Sequence, residues 1–162
     1  MNNEYLALLA YEKHGIKNTI FRPFSGYGSD QDLNYPFPSI VKRAINHDQN
    51  KDFIVWGSGY QMRDFIHIKD VVRGSLLISR KLKNGKAVNL SSGNFLSFIK
   101  LSKKIFNILG KKKINVFGNS TKPEGVFARG GSTNLQKKFR FKPKISIEKG
   151  IKDAIEYFNE NK

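Results

Sequence analysis

The sequence predicts an α/β fold, because short apolar runs of strand length alternate with longer segments of helical periodicity. The clearest strand is Phe53–Trp56, which runs into a turn with glycines at 57 and 59. The clearest helix is the last, where Ile147, Ile151, Ile155 and Phe158 recur at helical spacing. At 162 residues, the chain is long enough for one domain with a real core.

The first half of the chain begins with a helix over 1–14, which Gly15 is placed to end. An apolar run over 19–24 predicts a strand that stops near Pro23, because proline cannot donate to a strand ladder. After the turn-rich segment 25–38, Ser39 is a candidate N-cap for the next helix. Strands over 53–56 and 65–68 follow, and Asp70 is a candidate cap for the helix after them.

The second half predicts a strand over 86–90 and an amphipathic helix over 96–109 that Gly110 ends. A short strand over 114–117 follows it, and the Pro- and Gly-containing segment 122–129 is an expected exposed loop. Ser146 is expected to cap the last helix.

Composition excludes several classes of function. The chain has no cysteine, so it has no disulfide and no thiolate nucleophile, and its three histidines lack a metal-ligand spacing. No apolar run approaches membrane-spanning length and no secretion signal is present, so the expected compartment is the cytoplasm. The net charge of +16 favours anionic ligands, although no signature of a nucleic-acid-binding fold accompanies it.

The segment from Phe53 to Val72 carries the most specific pattern in the chain. It predicts a strand, a Gly-x-Gly turn, an arginine at 63, a second strand and a capped helix. It resembles the "VWGxGxxxRDFIHVxDVV" signature of the NAD-dependent epimerase/dehydratase family, the extended short-chain dehydrogenase/reductases that act on nucleotide sugars. The resemblance implies the C-terminal half of a Rossmann-type enzyme, with the last sheet strands and a small mixed α/β substrate-binding domain.

The same resemblance implies a substrate site. Arg63 matches the family arginine that contacts the substrate diphosphate. The segment Lys122-Pro123-Glu124-Gly125-Val126-Phe127-Ala128-Arg129 resembles the "KPEGVxxR" loop of GDP-sugar members, where the final arginine grips the diphosphate from the far side. Two forked guanidinium groups can satisfy several phosphate oxygens at once.

Four further residues are implied around the nucleotide: Trp56, Gln61, Ser25 and Arg43. Ser25 stands where the family motif Arg-x-x-Asn-x-Tyr-Gly has asparagine, and a hydroxyl keeps only part of the amide's hydrogen-bonding capacity. Other interpretations stay open for three of the six implied site residues. Trp56 also fits a core aromatic, Arg43 and its neighbour Lys42 fit solvated helix cations, and Arg129 fits a solvated loop cation.

Two family motifs are absent from these 162 residues. No Gly-x-x-Gly-x-x-Gly turn is present, and none of the six tyrosines has a lysine four positions later. We therefore expect no catalytic residue and no cofactor-binding residue in this chain, with NAD or NADP belonging to the complete enzyme. Residues 1–30 are expected to be the tail of the Rossmann part and residues 31–162 mainly the substrate-binding subdomain. On this interpretation the chain is a shortened version, a split gene product or a fragment.

The sequence thus predicts the nucleotide-sugar-binding half, GDP- or UDP-linked, of an epimerase, dehydratase or reductase that is inactive alone. Within the family it resembles GDP-mannose 3,5-epimerases and GDP-fucose synthases. The alternative is a basic stand-alone module that binds nucleic acid or a protein partner. The expected partners are a nucleotide-diphosphate sugar and either a second copy, as a homodimer, or a complementary N-terminal half, because uncovered sheet strands favour association.

Overall fold

A computed structural model describes residues 2–111 and 113–161 of the chain. The helices are α1 (Asn2–His14), α2 (Pro36–Ile45), α3 (Ile68–Ser79), α4 (Phe98–Ile108), α5 (Asn134–Lys138) and α6 (Ile147–Glu160). The strands are β1 (Ile20–Pro23), β2 (Gly26–Tyr27), β3 (Phe53–Trp56), β4 (Met62–Asp64), β5 (Ile66–His67), β6 (Ala87–Leu90), β7 (Phe95–Ser97), β8 (Val116–Asn119) and β9 (Ala128–Arg129). The predicted α/β class is confirmed.

The described strands form short, mostly parallel pairings. β1 pairs with β6, β2 with β5, and β3 with β8, all in parallel. β4 lies between β7 and β9, antiparallel to the first and parallel to the second. Since parallel neighbours need crossover connections, long stretches of chain separate these partners, and residues far apart in sequence meet at β4.

Two apolar cores hold these elements together. The larger lies among α2, α4, α6 and the strand pair β3–β8, and includes Phe53, Leu101, Ile105 and Ile151, all at most 1% exposed. The smaller lies between α3 and β6, with Phe141 packed into it. The larger core fixes the strand end at Trp56, from which the candidate site begins.

Three helix starts illustrate the limits of the capping predictions. Ser146 caps α6 as expected, since its hydroxyl accepts from the Lys149 N–H at 3.2 Å. Asp70 is not a cap, because α3 begins at Ile68 and the ring of His67 accepts from the Lys69 N–H. Ser39 is not a cap either: α2 begins at Pro36, whose fixed φ suits the first helical position.

The remaining boundaries differ by a few residues from the expected ones. The first helix is described from Asn2 to His14, Met1 lies outside the described residues, and Gly15 follows with φ 64°. The strand expected over 65–68 is shorter, Ile66–His67, and a separate strand, β4, precedes it. Residues Phe53 and Val55 of β3 are buried, whereas Ile54 and Trp56 are exposed, so β3 is buried on one face only. No helix in the described ranges is long and apolar enough to cross a bilayer.

Candidate functional site

A cavity of about 560 Å³ opens between the start of α2, the end of β3 and the loop before β9. Four of the six predicted site residues line it: Arg43, Trp56, Gln61 and Arg63. They come from α2, β3, the turn after β3, and β4, so the fold gathers them from three separate elements and a connecting loop. The fold thus brings these four side chains to one cavity, and their contact with a substrate stays a prediction.

Arg63 and Arg129 lie side by side, although 66 positions separate them in the sequence. The parallel register of β4 and β9 pairs the two residues directly. Within the described chain, neither guanidinium forms a salt bridge with a carboxylate. Burial, and secondarily the positive charge of Arg129, lowers the pKa of Arg63. Two neighbouring cations without an acidic partner favour an anion between them.

Arg63 is held from two sides. Its Nη1 donates to the Met62 carbonyl at 2.8 Å, and its guanidinium carbon lies 5.4 Å from the centroid of the Phe98 ring. The next residue, Asp64, is fully buried and accepts from the backbone N–H of Ser92 at 2.8 Å and of Gly93 at 3.0 Å. These bonds fasten β4 to the loop after β6 and so fix the position of Arg63.

The Gly-x-Gly turn allows the loop before β9 to reach the cavity. Gly57 has φ 69°, and a Cβ on it would lie 2.7 Å from Gln61 Nε2 and 2.8 Å from Glu124 Cα. Only glycine fits such a position, because both the backbone conformation and the space exclude a side chain. The Ser58 hydroxyl then donates to Glu124 Oε1 at 2.5 Å, which fastens the loop to the turn.

Trp56 and Arg43 form the outer part of the site. Trp56 is 60% exposed, so the alternative of a core aromatic is wrong for this residue. Arg43 donates from Nη2 to the Ile54 carbonyl, and its guanidinium carbon lies 4.8 Å from the centroid of the Phe53 ring. Burial lowers the pKa of Arg43. Its contacts fix its direction at the rim of the cavity, unlike a freely solvated cation, and Lys42 does not line this cavity.

Ser25 is placed differently from the five other predicted residues, four of which line the cavity while the fifth, Arg129, pairs with Arg63. It does not line the cavity, and it adopts φ 42° in the tight connection between β1 and β2. Its carbonyl accepts from the Ile66 N–H at 3.4 Å, so its observed contact belongs to the pairing of β2 with β5.

Among the lining residues that had no role in the sequence interpretation, two bear on the charges of the site. Phe98 supports Arg63, and Glu124 contributes a carboxylate to the cavity wall. The only sequence signal for Glu124 is that it belongs to the same segment, 122–129, as Arg129. No group of histidine, aspartate or glutamate in the described ranges is arranged to hold a metal ion.

The comparison with known sequences gives the family. Residues 3–91, more than half of the chain, match the profile of the NAD dependent epimerase/dehydratase family. The chain belongs to this family. Its curated relatives include a UDP-N-acetyl-alpha-D-glucosaminuronate decarboxylase from Bacillus cytotoxicus, 27% identical over 94% of this chain and 49% of the relative. A putative GDP-L-fucose synthase 2 from Arabidopsis thaliana is 24% identical over 86% of this chain and 44% of the relative.

The fold agrees with this membership of the epimerase/dehydratase family. The UDP-glucose 4-epimerase of Thermotoga maritima, solved with UDP-glucose, superposes with a TM-score of 0.85 at 25% identity. That match covers 99% of this chain and 52% of the other. The chain thus spans about half the length of the relatives it matches, and the Rossmann-type fold class expected from the sequence is confirmed for that half.

Family membership implies NAD or NADP as a cofactor, which raises the question of whether the residues of this chain can bind a dinucleotide. A dinucleotide pyrophosphate takes a glycine-rich turn that opens a helix. The sequence has no Gly-x-x-Gly-x-x-Gly segment, and α2, α3, α4 and α6 follow Tyr35, His67, Ser97 and Ser146. These residues do not form a dinucleotide cradle, and no chemical step is derived through the cofactor.

Proposed function

We propose that this chain is the half of an NAD(P)-dependent epimerase/dehydratase that binds the nucleotide-diphosphate sugar. The observation that carries the proposal is the direct pairing of Arg63, which lines the cavity, with Arg129, which does not line it. A diphosphate relieves the repulsion between the two guanidinium groups and accepts their forked hydrogen bonds. The relatives named for nucleotide sugars support the same ligand class.

The other parts of the proposal follow from the finding that the chain spans about half the length of its relatives. Residues 1–30 complete a Rossmann part, residues 31–162 mainly form the substrate-binding subdomain, and the cofactor and its chemistry belong to another half. On this proposal the chain alone binds the nucleotide sugar without turning it over. A second copy or a complementary N-terminal half would cover the sheet edge at β1.

Calorimetric titration of the full chain with GDP-mannose and with UDP-glucose tests the proposal. We expect saturable binding of at least one of them, and a loss of at least about tenfold in affinity for Arg63→Ala, since charge-assisted hydrogen bonds to phosphate are lost. Arg80→Ala is the matched control, because Arg80 is exposed at the end of α3 and the net charge changes equally.

The competing function, a basic module for nucleic acid, is favoured by one segment. No carboxylate occurs from 134 to 147. Residues 137–144 carry five exposed cations: Lys137, Lys138, Arg140, Lys142 and Lys144. Binding to any duplex DNA with a steep salt dependence, unaffected by Arg63→Ala, would support that function. Absence of nucleotide-sugar binding together with that result would overturn our proposal.

A further inference from the structure

Glu124 places a negative charge in a cavity that otherwise carries arginines. Its Oε1 accepts from the Ser58 hydroxyl at 2.5 Å, and its backbone packs on Gly57. Among the described residues it forms no ion pair, so neither Arg43 nor Arg63 neutralises it. A carboxylate beside phosphates would repel them, so Glu124 belongs to a part of the site away from the diphosphate.

The surroundings of Glu124 suit the flat, donor-bearing part of a ligand. Gln61 is 1% exposed, donates from Nε2 to the Trp56 carbonyl at 2.6 Å, and has no partner for Oε1 in the described chain. Gln61 Oε1 has almost no exposed surface, so the acceptor that this end of the cavity offers a ligand is the carboxylate of Glu124. The exposed ring of Trp56, which lines the same cavity, adds a surface on which an aromatic base can stack.

The spacing of Glu124 and Arg129 in their shared loop fits a nucleotide that lies between Glu124 and the arginine pair. Arg129 lies five positions after Glu124, so an extended chain between them reaches at most about 18 Å. Arg129 lies against Arg63 at the diphosphate end, and Glu124 lies against Gly57 at the other. On the proposed arrangement the base lies at Glu124, the diphosphate at the two arginines and the ribose between them.

We propose that the nucleotide base is guanine and that the Glu124 carboxylate accepts its N1–H and N2–H hydrogen bonds; the inference rests on the function proposed above. Guanine presents these two donors side by side, which matches the two oxygens of a carboxylate. Uracil presents one N–H between two carbonyl oxygens. These two oxygens would be repelled by the carboxylate, because all of them are hydrogen-bond acceptors. The relatives do not choose between the bases, because they include enzymes named for UDP and for GDP sugars.

Fluorescence titration tests the inference directly, because Trp56 is the only tryptophan in the chain. The ligands are GDP, UDP and inosine diphosphate, which lacks the N2 amino group of guanine. We expect the unmodified chain to bind GDP at least about tenfold more tightly than either of the others. We expect Glu124→Gln to remove most of this preference and to leave UDP affinity within about twofold. Glu148→Gln is the control, since Glu148 pairs with Lys104 outside this cavity.

Three results would overturn the inference. The first is UDP binding as tightly as GDP, and the second is equal affinity for GDP and inosine diphosphate. The third is an equal loss for GDP and UDP in Glu124→Gln, which would assign the carboxylate to the ribose. If no nucleoside diphosphate binds, the proposed function fails, whereas tight UDP binding that depends on Arg63 leaves it standing while the guanine assignment fails. The first two comparisons use the unmodified chain and do not depend on how the variants fold.

Discussion

His67 is a buried histidine whose contacts need the neutral ring. Its side chain is 3% exposed, its Nδ1 accepts from the Lys69 N–H at 3.2 Å, and its ring centroid lies 5.2 Å from that of Tyr27. Burial lowers the pKa of His67, and this effect outweighs the opposing charges of Asp153 and Asp70. Protonation would charge a buried group and remove the acceptor that caps α3.

We predict that the chain loses stability as pH falls through the range where an unfolded histidine takes up its proton, about 6.5. The folded state resists protonation below that value, so the unfolded state binds more protons and gains relative free energy. Thermal unfolding at pH 7.5, 6.5 and 5.5 measures the effect. His67→Asn keeps a capping side chain that does not titrate, and should show a smaller loss between pH 6.5 and 5.5. Equal slopes for the two proteins would contradict the prediction.

Single residues also show what the sequence could and could not predict about the site. Arg63 could be predicted as a site residue because it follows a Gly-x-Gly turn within a long segment that resembles the family signature. Its contact with Arg129 depends on β9, a two-residue strand that no periodicity could reveal. Glu124 could not be singled out from the sequence, because its place in the cavity wall depends on a close approach to Gly57 across 67 positions.

At the scale of elements, the amphipathic helices were the most predictable parts. The helix expected over 96–109 is observed as Phe98–Ile108, because its apolar spacing matches the face that it buries. Helix starts were less predictable, since any serine or aspartate before an apolar run is a candidate cap. Asp70 instead lies in the first turn of α3, where it accepts from the backbone N–H groups of Lys144 and Ile145 at 2.8 Å each.

The end of α2 depends on a lysine from another element. Lys111 Nζ donates to the carbonyls of Ala44, Ile45 and His47 at 3.0, 2.7 and 2.9 Å. These carbonyls lie at or just beyond the last turn of α2, where a cation also complements the helix dipole. The three ammonium donors thus replace the hydrogen bonds that the end of a helix lacks.

We predict that Lys111→Met lowers the free energy of unfolding by about 2 kcal/mol, because part-buried carbonyls lose charge-assisted hydrogen bonds. Urea denaturation followed by circular dichroism measures the change. Lys103→Met is the control, since Lys103 is exposed on α4 and the charge change is the same. A loss in Lys111→Met no larger than in the control would mean that the contacts at the end of α2 add nothing to stability.

At the scale of the whole molecule, the surface combines a high positive charge with exposed apolar groups. The net charge of +16 opposes association between copies at low ionic strength. Tyr5, Leu6, Val72 and Leu76 on α1 and α3 are each more than half exposed. In the described chain β1 pairs only with β6, so its other edge offers unpaired backbone groups. The positive charge therefore opposes association between copies, whereas the uncovered apolar surface and strand edge favour it.

We predict that the chain associates with itself as salt is added, because screening weakens the repulsion while the apolar surface stays uncovered. Light scattering of chromatographic fractions at about 50 and 500 mM salt should show a rising average mass. Leu6→Lys and Leu76→Lys, at side chains 61% and 58% exposed, should shift the population towards monomer. Phe117→Lys adds the same charge on the outer face of β3–β8 and should have a smaller effect. A monomer at both salt concentrations would show that α1, α3 and the β1 edge do not drive association, whereas equal effects of all three substitutions would assign it to net charge.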